Sequence, residues 1–165
     1  MKAKITIVIL LLTIISVTAR LPRVFPGWGR LQAESPEIII ADPEAPTPPT
    51  TTMFFINGPS FDFSITVLSV LKGTNGVRHA RLLADHELRP RDAYLVFATC
   101  HDGIYIANEN FSVVPLGRTY QEEMIAGKPL DEQIHILFKL AVDNLNKEIA
   151  NKMAEKERLE TGLPK

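Results

Sequence analysis

His79, Asp85, His86, Glu87, Cys100, His101 and Asp102 are the one concentration of nucleophilic, acid–base and ligating side chains in this sequence. A cysteine beside an imidazole forms a reactive thiolate when a third group orients the base. Cys100 and His101 are adjacent, however, and adjacent residues of a strand point to opposite faces. His86 would reach Cys100 only by a cross-strand approach that nothing in the spacing requires, and no nucleophile motif surrounds Cys100. Asp85, His86 and His101 form the candidate metal set. The triplet Asp85-His86-Glu87 lacks the helix-spaced histidine pair of a zinc protease, and its residues read more simply as a solvated loop. Cys100 is the single cysteine, so no internal disulfide forms. It is expected as a buried thiol at a strand end, the alternative being pairing with another chain. We therefore assign no catalytic residue, no metal and no cofactor, and read the chain as a non-enzyme. A cryptic hydrolase or metal-binding protein using Cys100, His86 or His101 is the weakest reading.

Two other patterns carry little. Asn110-Phe111-Ser112 matches a glycosylation acceptor, which matters only in a eukaryotic secretory pathway. Tyr105 and Phe111 could stack bases, but nucleic-acid binding needs a basic face. The charge points the other way. The full chain has 18 basic and 19 acidic residues, and without Lys2 and Lys4 the balance is 16 against 19, a net −3.

That subtraction follows from the N-terminus. Lys2 and Lys4 precede an apolar run from Ile5 to Val17, and Val17-Thr18-Ala19 places small residues at the −3 and −1 positions of a cut. This is the order of a secretory signal peptide over residues 1–19. The run is shorter than the roughly 20 residues of a spanning helix. A second cut could follow Leu31-Gln32-Ala33. No cysteine follows the run, which disfavours lipoprotein processing. The chain is expected to be exported, periplasmic or secreted, with an uncleaved N-terminal anchor as the alternative.

The elements that would position any site come next. Residues 20–35 carry two Pro and two Gly without a period and read as a mobile lead-in. Ile38-Ile39-Ile40 marks a first strand within 36–41. Residues 42–52 form a Pro/Thr-rich loop, since Pro46, Pro48 and Pro49 do not fit a central strand. Residues 53–57 suggest a short strand closed by an Asn57-Gly58-Pro59 turn. Phe61, Phe63, Ile65 and Val67 alternate with polar residues as in a half-buried strand. The pattern slips at Leu68, Val70 and Leu71, which suggests a bulge or a strand whose far end is covered on both faces. Further strands are expected at 77–84, 93–99, 104–107 and 111–116, with turns at 72–76, 89–92, 101–103 and 108–110. Pro115 marks a strand end or an edge.

From residue 117 the pattern becomes helical. A short helix is expected over 118–126, ending at Gly127. A longer one starts with Pro129 in its first turn, with Asp131 and Glu132 at its positive end. Its stripe is Ile134, Phe138, Ala141, Leu145, Ile149 and Met153, with Gly162 and Pro164 as stops. The expected class is mainly β with C-terminal α. A small OB-like antiparallel β-barrel (36–116) precedes a helical extension (117–165) packed on it.

Two phrases also resemble a known group. Val67, Leu68, Val70, Leu71, Lys72 and Gly73, then Leu88, Pro90, Tyr94, Leu95, Val96 and Phe97, are similar to phrases of bacterial exported domains. Those domains are related to the tissue inhibitor of metalloproteases and netrin-like modules. Residues 111–116 are similar to their closing strand, and the likeness spans roughly 36–116. It implies a five-stranded OB-type barrel with packed helices. The animal inhibitors place an N-terminal cysteine on a protease zinc; no cysteine lies near Arg20 or Glu34, so that mechanism does not carry over. Arg91 stands where the related phrase often has Gly. The functional expectation is an exported, non-enzymatic binding module for another exported or envelope protein. Its contacts are expected on the loops around 42–60 and 85–92. The alternative is a membrane-anchored structural component of an envelope assembly.

Overall fold

The computed structural model describes residues 27–44, 54–55, 58–59, 61–74, 77–107 and 112–161. Helix α1 (Trp28–Glu34) leads into β1 (Glu37–Pro43), followed by a small hairpin of β2 (Phe54–Phe55) and β3 (Gly58–Pro59). Then come β4 (Phe61–Lys72), β5 (His79–Ala84), β6 (Ala93–His101), β7 (Ile104–Ile106) and β8 (Val113–Gly117). A 3₁₀ turn (Glu122–Met124) precedes the long helix α2 (Leu130–Thr161).

Strands β1, β4, β5, β7 and β6 pair in that order, and β6 pairs back onto β1, closing a five-stranded barrel. β8 is the additional strand on β6. This is the mainly-β, OB-like barrel with C-terminal helix that the sequence suggests. One pair departs from the expected antiparallel pattern, because β5 and β7 run parallel. Closure requires it: β7 follows β6 by a tight turn and so takes its direction from β6. Strand β6 can serve three neighbours because its far end, Thr99–His101, pairs with β7 while its near end, Ala93–Val96, pairs with β8.

Two cores explain the apolar runs. Ile39, Ala41, Phe63, Ile65, Leu82, Tyr94, Val96 and Tyr105 fill the barrel. Ile38, Ile40, Leu95, Phe97, Val114 and Leu116 face outward against Leu31, Ile125, Ile134 and Leu137. Strands β1 and β6 are thus covered on both faces, so their sequences are continuously apolar rather than alternating. The slip in β4 is real. Opposite Ile38-Ile39 the register jumps from Lys72 to Val70, and opposite Ile40-Ala41 from Ser69 to Val67. Leu71 and Leu68 are the extra residues of two bulges, which let the long strand bend around the barrel.

Several local expectations are corrected. The lead-in does not extend to residue 35. Trp28–Glu34 is a helix with Leu31 buried in the outer core, because Leu31 and Trp28 one turn apart share an apolar face. Residues 20–26 lie outside the described residues. The helix expected over 118–126 shrinks to the single 3₁₀ turn. Gly58-Pro59 pairs with Phe54-Phe55 instead of forming the turn itself. The strand expected from 77 begins at His79. Pro115, by contrast, lies where the edge reading puts it, inside β8, an edge strand that pairs only with β6. Of the 42–52 loop, Asp42 and Pro43 belong to β1 and residues 45–52 lie outside the described residues, as do 108–111, Gly162 and Pro164.

Candidate functional site

The proposed chemistry cluster is dispersed. Asp85 and His86 lie on the loop after β5, where His86 Nδ1 is 2.7 Å from Asp85 Oδ1. His86 and Glu87 share a cleft of about 270 Å³ with Asp92 and Tyr94 at the start of β6. Cys100 is six residues beyond Tyr94 on the same strand, about 20 Å away at ~3.3 Å per residue. Neither a Cys100–His86 pair nor an Asp85–His86–His101 site is assembled. Among the described residues no group of three His, Cys, Asp or Glu could hold a metal ion. Cys100 packs against the barrel core while His101 is exposed, as strand alternation requires.

A different set converges on the outer face of β4 and β5. Inward residues Phe63, Ile65, Ala80 and Leu82 belong to the barrel core, so Asp62, Ser64, Thr66, His79 and Arg81 must face out. The register places Ser64 opposite Arg81 and Thr66 opposite His79. Glu44 follows β1, and Asp102 and Gly103 form the β6–β7 turn. Together they border an open groove of about 560 Å³ lined by Glu44, Ser64, His79, Arg81, Asp102 and Ile104 among others. The hydroxyl of Thr66 donates to Glu44 Oε1 (3.1 Å), and His79 Nδ1 is 3.4 Å from the same oxygen. Arg81 grips Asp62 with two nitrogens, its Nε donating to Oδ1 at 3.2 Å. That contact holds the Arg81 guanidinium above its ordinary pKa. The one arginine lining the groove is therefore already paired, while Glu44 and Asp102 supply negative charge. Asp102 adopts φ +50, the left-handed backbone common for Asp in tight turns.

In an OB-type barrel the second and third strands and their flanking loops form the usual ligand face. Here those strands are β4 and β5, flanked by the β1–β4 connection and the β6–β7 turn. Glu44, from the 42–60 region, lines this groove. The outward row Asp62, Ser64 and Thr66 was visible as the polar half of an alternating strand. Its meeting with Asp102 depends on the parallel β5/β7 pairing, which no local pattern reveals.

The sequence reading also missed Glu37. Its carboxylate is buried, with Oε1 accepting from the Thr74 backbone N–H at 3.4 Å and Oε2 without a hydrogen-bond partner. Burial raises the Tyr105 phenol pKa, and nearby Cys100 and Glu37 add to the effect. Next to Gly73, the Lys72 ammonium donates to the carbonyls of Gln32 (2.8 Å) and Ala33 (3.5 Å) at the end of α1. Lys72 and Gly73 therefore anchor α1 and cover Glu37. In the second phrase, Leu88 is buried and the Arg89 N–H donates to the Tyr94 hydroxyl at 2.8 Å.

No protein-family model matches this chain, and a search of curated proteins returns no match. Among the described residues no helix is long and apolar enough to cross a membrane.

Proposed function

We propose that this chain is an exported, non-enzymatic binding module whose partner, another exported or envelope protein, seats in the β4–β5 groove. The observation that carries the proposal is the groove itself. It lies on a rigid barrel face, is bordered by two connections, and places Glu44, Asp102 and an internally paired Arg81 toward solvent. Loops on a rigid scaffold are a common place for binding, and the position of the face is an argument by analogy of fold. Its charge disfavours phosphate-rich ligands and suits a protein surface presenting Lys or Arg. The likeness to the tissue-inhibitor and netrin-like group supports the same class of role without its zinc-directed cysteine. Processing after Ala19 is part of the proposal. A cut after Ala33 would remove the α1 turn that buries Leu31.

The test is partner capture from extracytoplasmic fractions with the wild-type chain and Ser64→Arg. A Ser64 side chain points into the groove without supporting the core. One stoichiometric partner lost from the variant supports the assignment; equal recovery by both chains contradicts it.

A further inference from the structure

Histidine is the side chain that ordinarily changes charge between pH 5 and 8, and His79 is the one histidine among the described residues lining the β4–β5 groove. The register sets it opposite Thr66, with both on the outer face. There the imidazole meets a lightly engaged carboxylate. Glu44 Oε1 accepts from the Thr66 hydroxyl at 3.1 Å and lies 3.4 Å from His79 Nδ1. The same Nδ1 is 3.4 Å from the Thr66 hydroxyl oxygen. Charged neighbours come from every element around the groove. Glu44 follows β1, Asp62 lies on β4, Arg81 on β5 and Asp102 on the β6–β7 turn. Arg81 is tied to Asp62. Glu44 and Asp102 therefore carry the uncompensated charge of the groove, two negative units while His79 is neutral. Protonation of His79 halves that charge. Arg78 and His101 flank the groove in sequence but do not line it.

We propose that His79 is a pH gate on this groove. Neutral, it leaves Glu44 and Asp102 open to a Lys or Arg of the partner; protonated, it competes for Glu44. The inference rests on the proposed reading of the groove as the partner's seat. Two effects set its direction. A protonated Nδ1 donates to Glu44 Oε1, which turns their contact into a charge-assisted hydrogen bond. It also repels a cation approaching the same oxygen. A unit charge about 5 Å from a bound cation changes binding about fourfold at the dielectric of water. The His79 side chain is 72% exposed, so this solvent-screened figure applies rather than the larger interior one. Coupling of this kind is reciprocal. If a proton on His79 weakens cation binding, cation binding expels a proton from His79. In a chain exported as proposed, the groove meets the pH outside the cytoplasm. The partner is held near neutrality and released in mild acid.

The test titrates a tetra-lysine peptide into the full chain by calorimetry at about 20 mM salt, where screening is weak. Affinity should fall about fourfold between about pH 7.5 and about pH 5.5, the range in which imidazole ordinarily gains its proton. The fall should vanish in His79→Gln and persist in His101→Gln. Runs near pH 6.5 in two buffers of different ionisation enthalpy should show proton release on binding. His79→Gln should show none. Ser64→Arg should abolish binding at both pH values, which fixes the peptide in the groove. Binding that Ser64→Arg abolishes but that is equal at the two pH values overturns the gate and leaves the groove reading standing. A fall that survives in His79→Gln overturns the gate as well. No binding at either pH, or binding that Ser64→Arg leaves intact, contradicts the groove reading itself and removes the gate with it.

Discussion

Gly73→Ala is the most informative single change in the fold. Gly73 has φ +116, and a Cβ there would lie 2.7 Å from Glu37 Oε1 and closer still to Cδ and Oε2. Two costs combine. A side chain in that backbone region costs of order 1–3 kcal/mol. Displacing the buried carboxylate also breaks its contact with the Thr74 N–H, about 1 kcal/mol. The sum is about 2–4 kcal/mol, a large share of the 5–15 kcal/mol stability typical of a domain. At about 3 °C per kcal/mol for a chain of this size, the melting temperature should fall by roughly 6–12 °C. Thermal and urea denaturation followed by circular dichroism would measure it. The clash is isolated by repeating the substitution in Glu37→Ala, where only the backbone cost remains and the loss should shrink by about 1 kcal/mol or more. An equal loss in both backgrounds would refute the overlap with Glu37, and a loss below about 0.5 kcal/mol would refute the reasoning as a whole.

Arg91 sits at φ +66, two residues after Arg89 and directly after Pro90. A left-handed residue there costs about 1–2 kcal/mol for a side chain, partly offset by the greater freedom of glycine in the unfolded chain. Arg91→Gly should therefore stabilise by about 0.5–1 kcal/mol in urea melts, and a destabilised variant would show that the arginine side chain supports the loop. Burial raises the phenol pKa values of Tyr94, Tyr105 and Tyr120, the last to about 12, with Glu122 and Glu123 adding to its shift. Groups raised in the folded state leave stability intact below their unfolded pKa near 10 and reduce it as pH climbs toward the folded value. Denaturation midpoints should therefore hold up to about pH 10 and fall between about 10 and 12, with phenolate absorbance in the native protein delayed by the same interval. A flat midpoint across that window would contradict it.

The barrel was legible in the sequence because its signals are local. Alternation at Phe61–Val67, the triple isoleucine and the turns at 89–92 and 101–103 each report on a few neighbours. The bulges were legible for the same reason, as Leu68 and Leu71 break the alternation. Helix α1 was not, because its seven residues depend on Trp28 meeting Phe97 and Phe138, and such a short helix is held by tertiary packing rather than propensity. The Cys100–His86 pair is kept apart by topology. Strand β6 is long enough to carry Cys100 away from the loop that holds His86. The groove required knowing that β7 lies beside β5, which brings Asp102 alongside His79 and Arg81. At position 91 the backbone takes a positive φ that favours Gly, which no local pattern around Pro90 announces.

The most direct test of the central claim is amide NMR of the chain beginning at Arg20, titrated with the protein it captures. The account predicts shifts centred on Ser64, His79–Arg81 and Asp102–Ile104, absent with Ser64→Arg. Shifts confined to the cleft between α2 and the barrel, or to the exposed stripe of α2, would contradict the groove as the binding face.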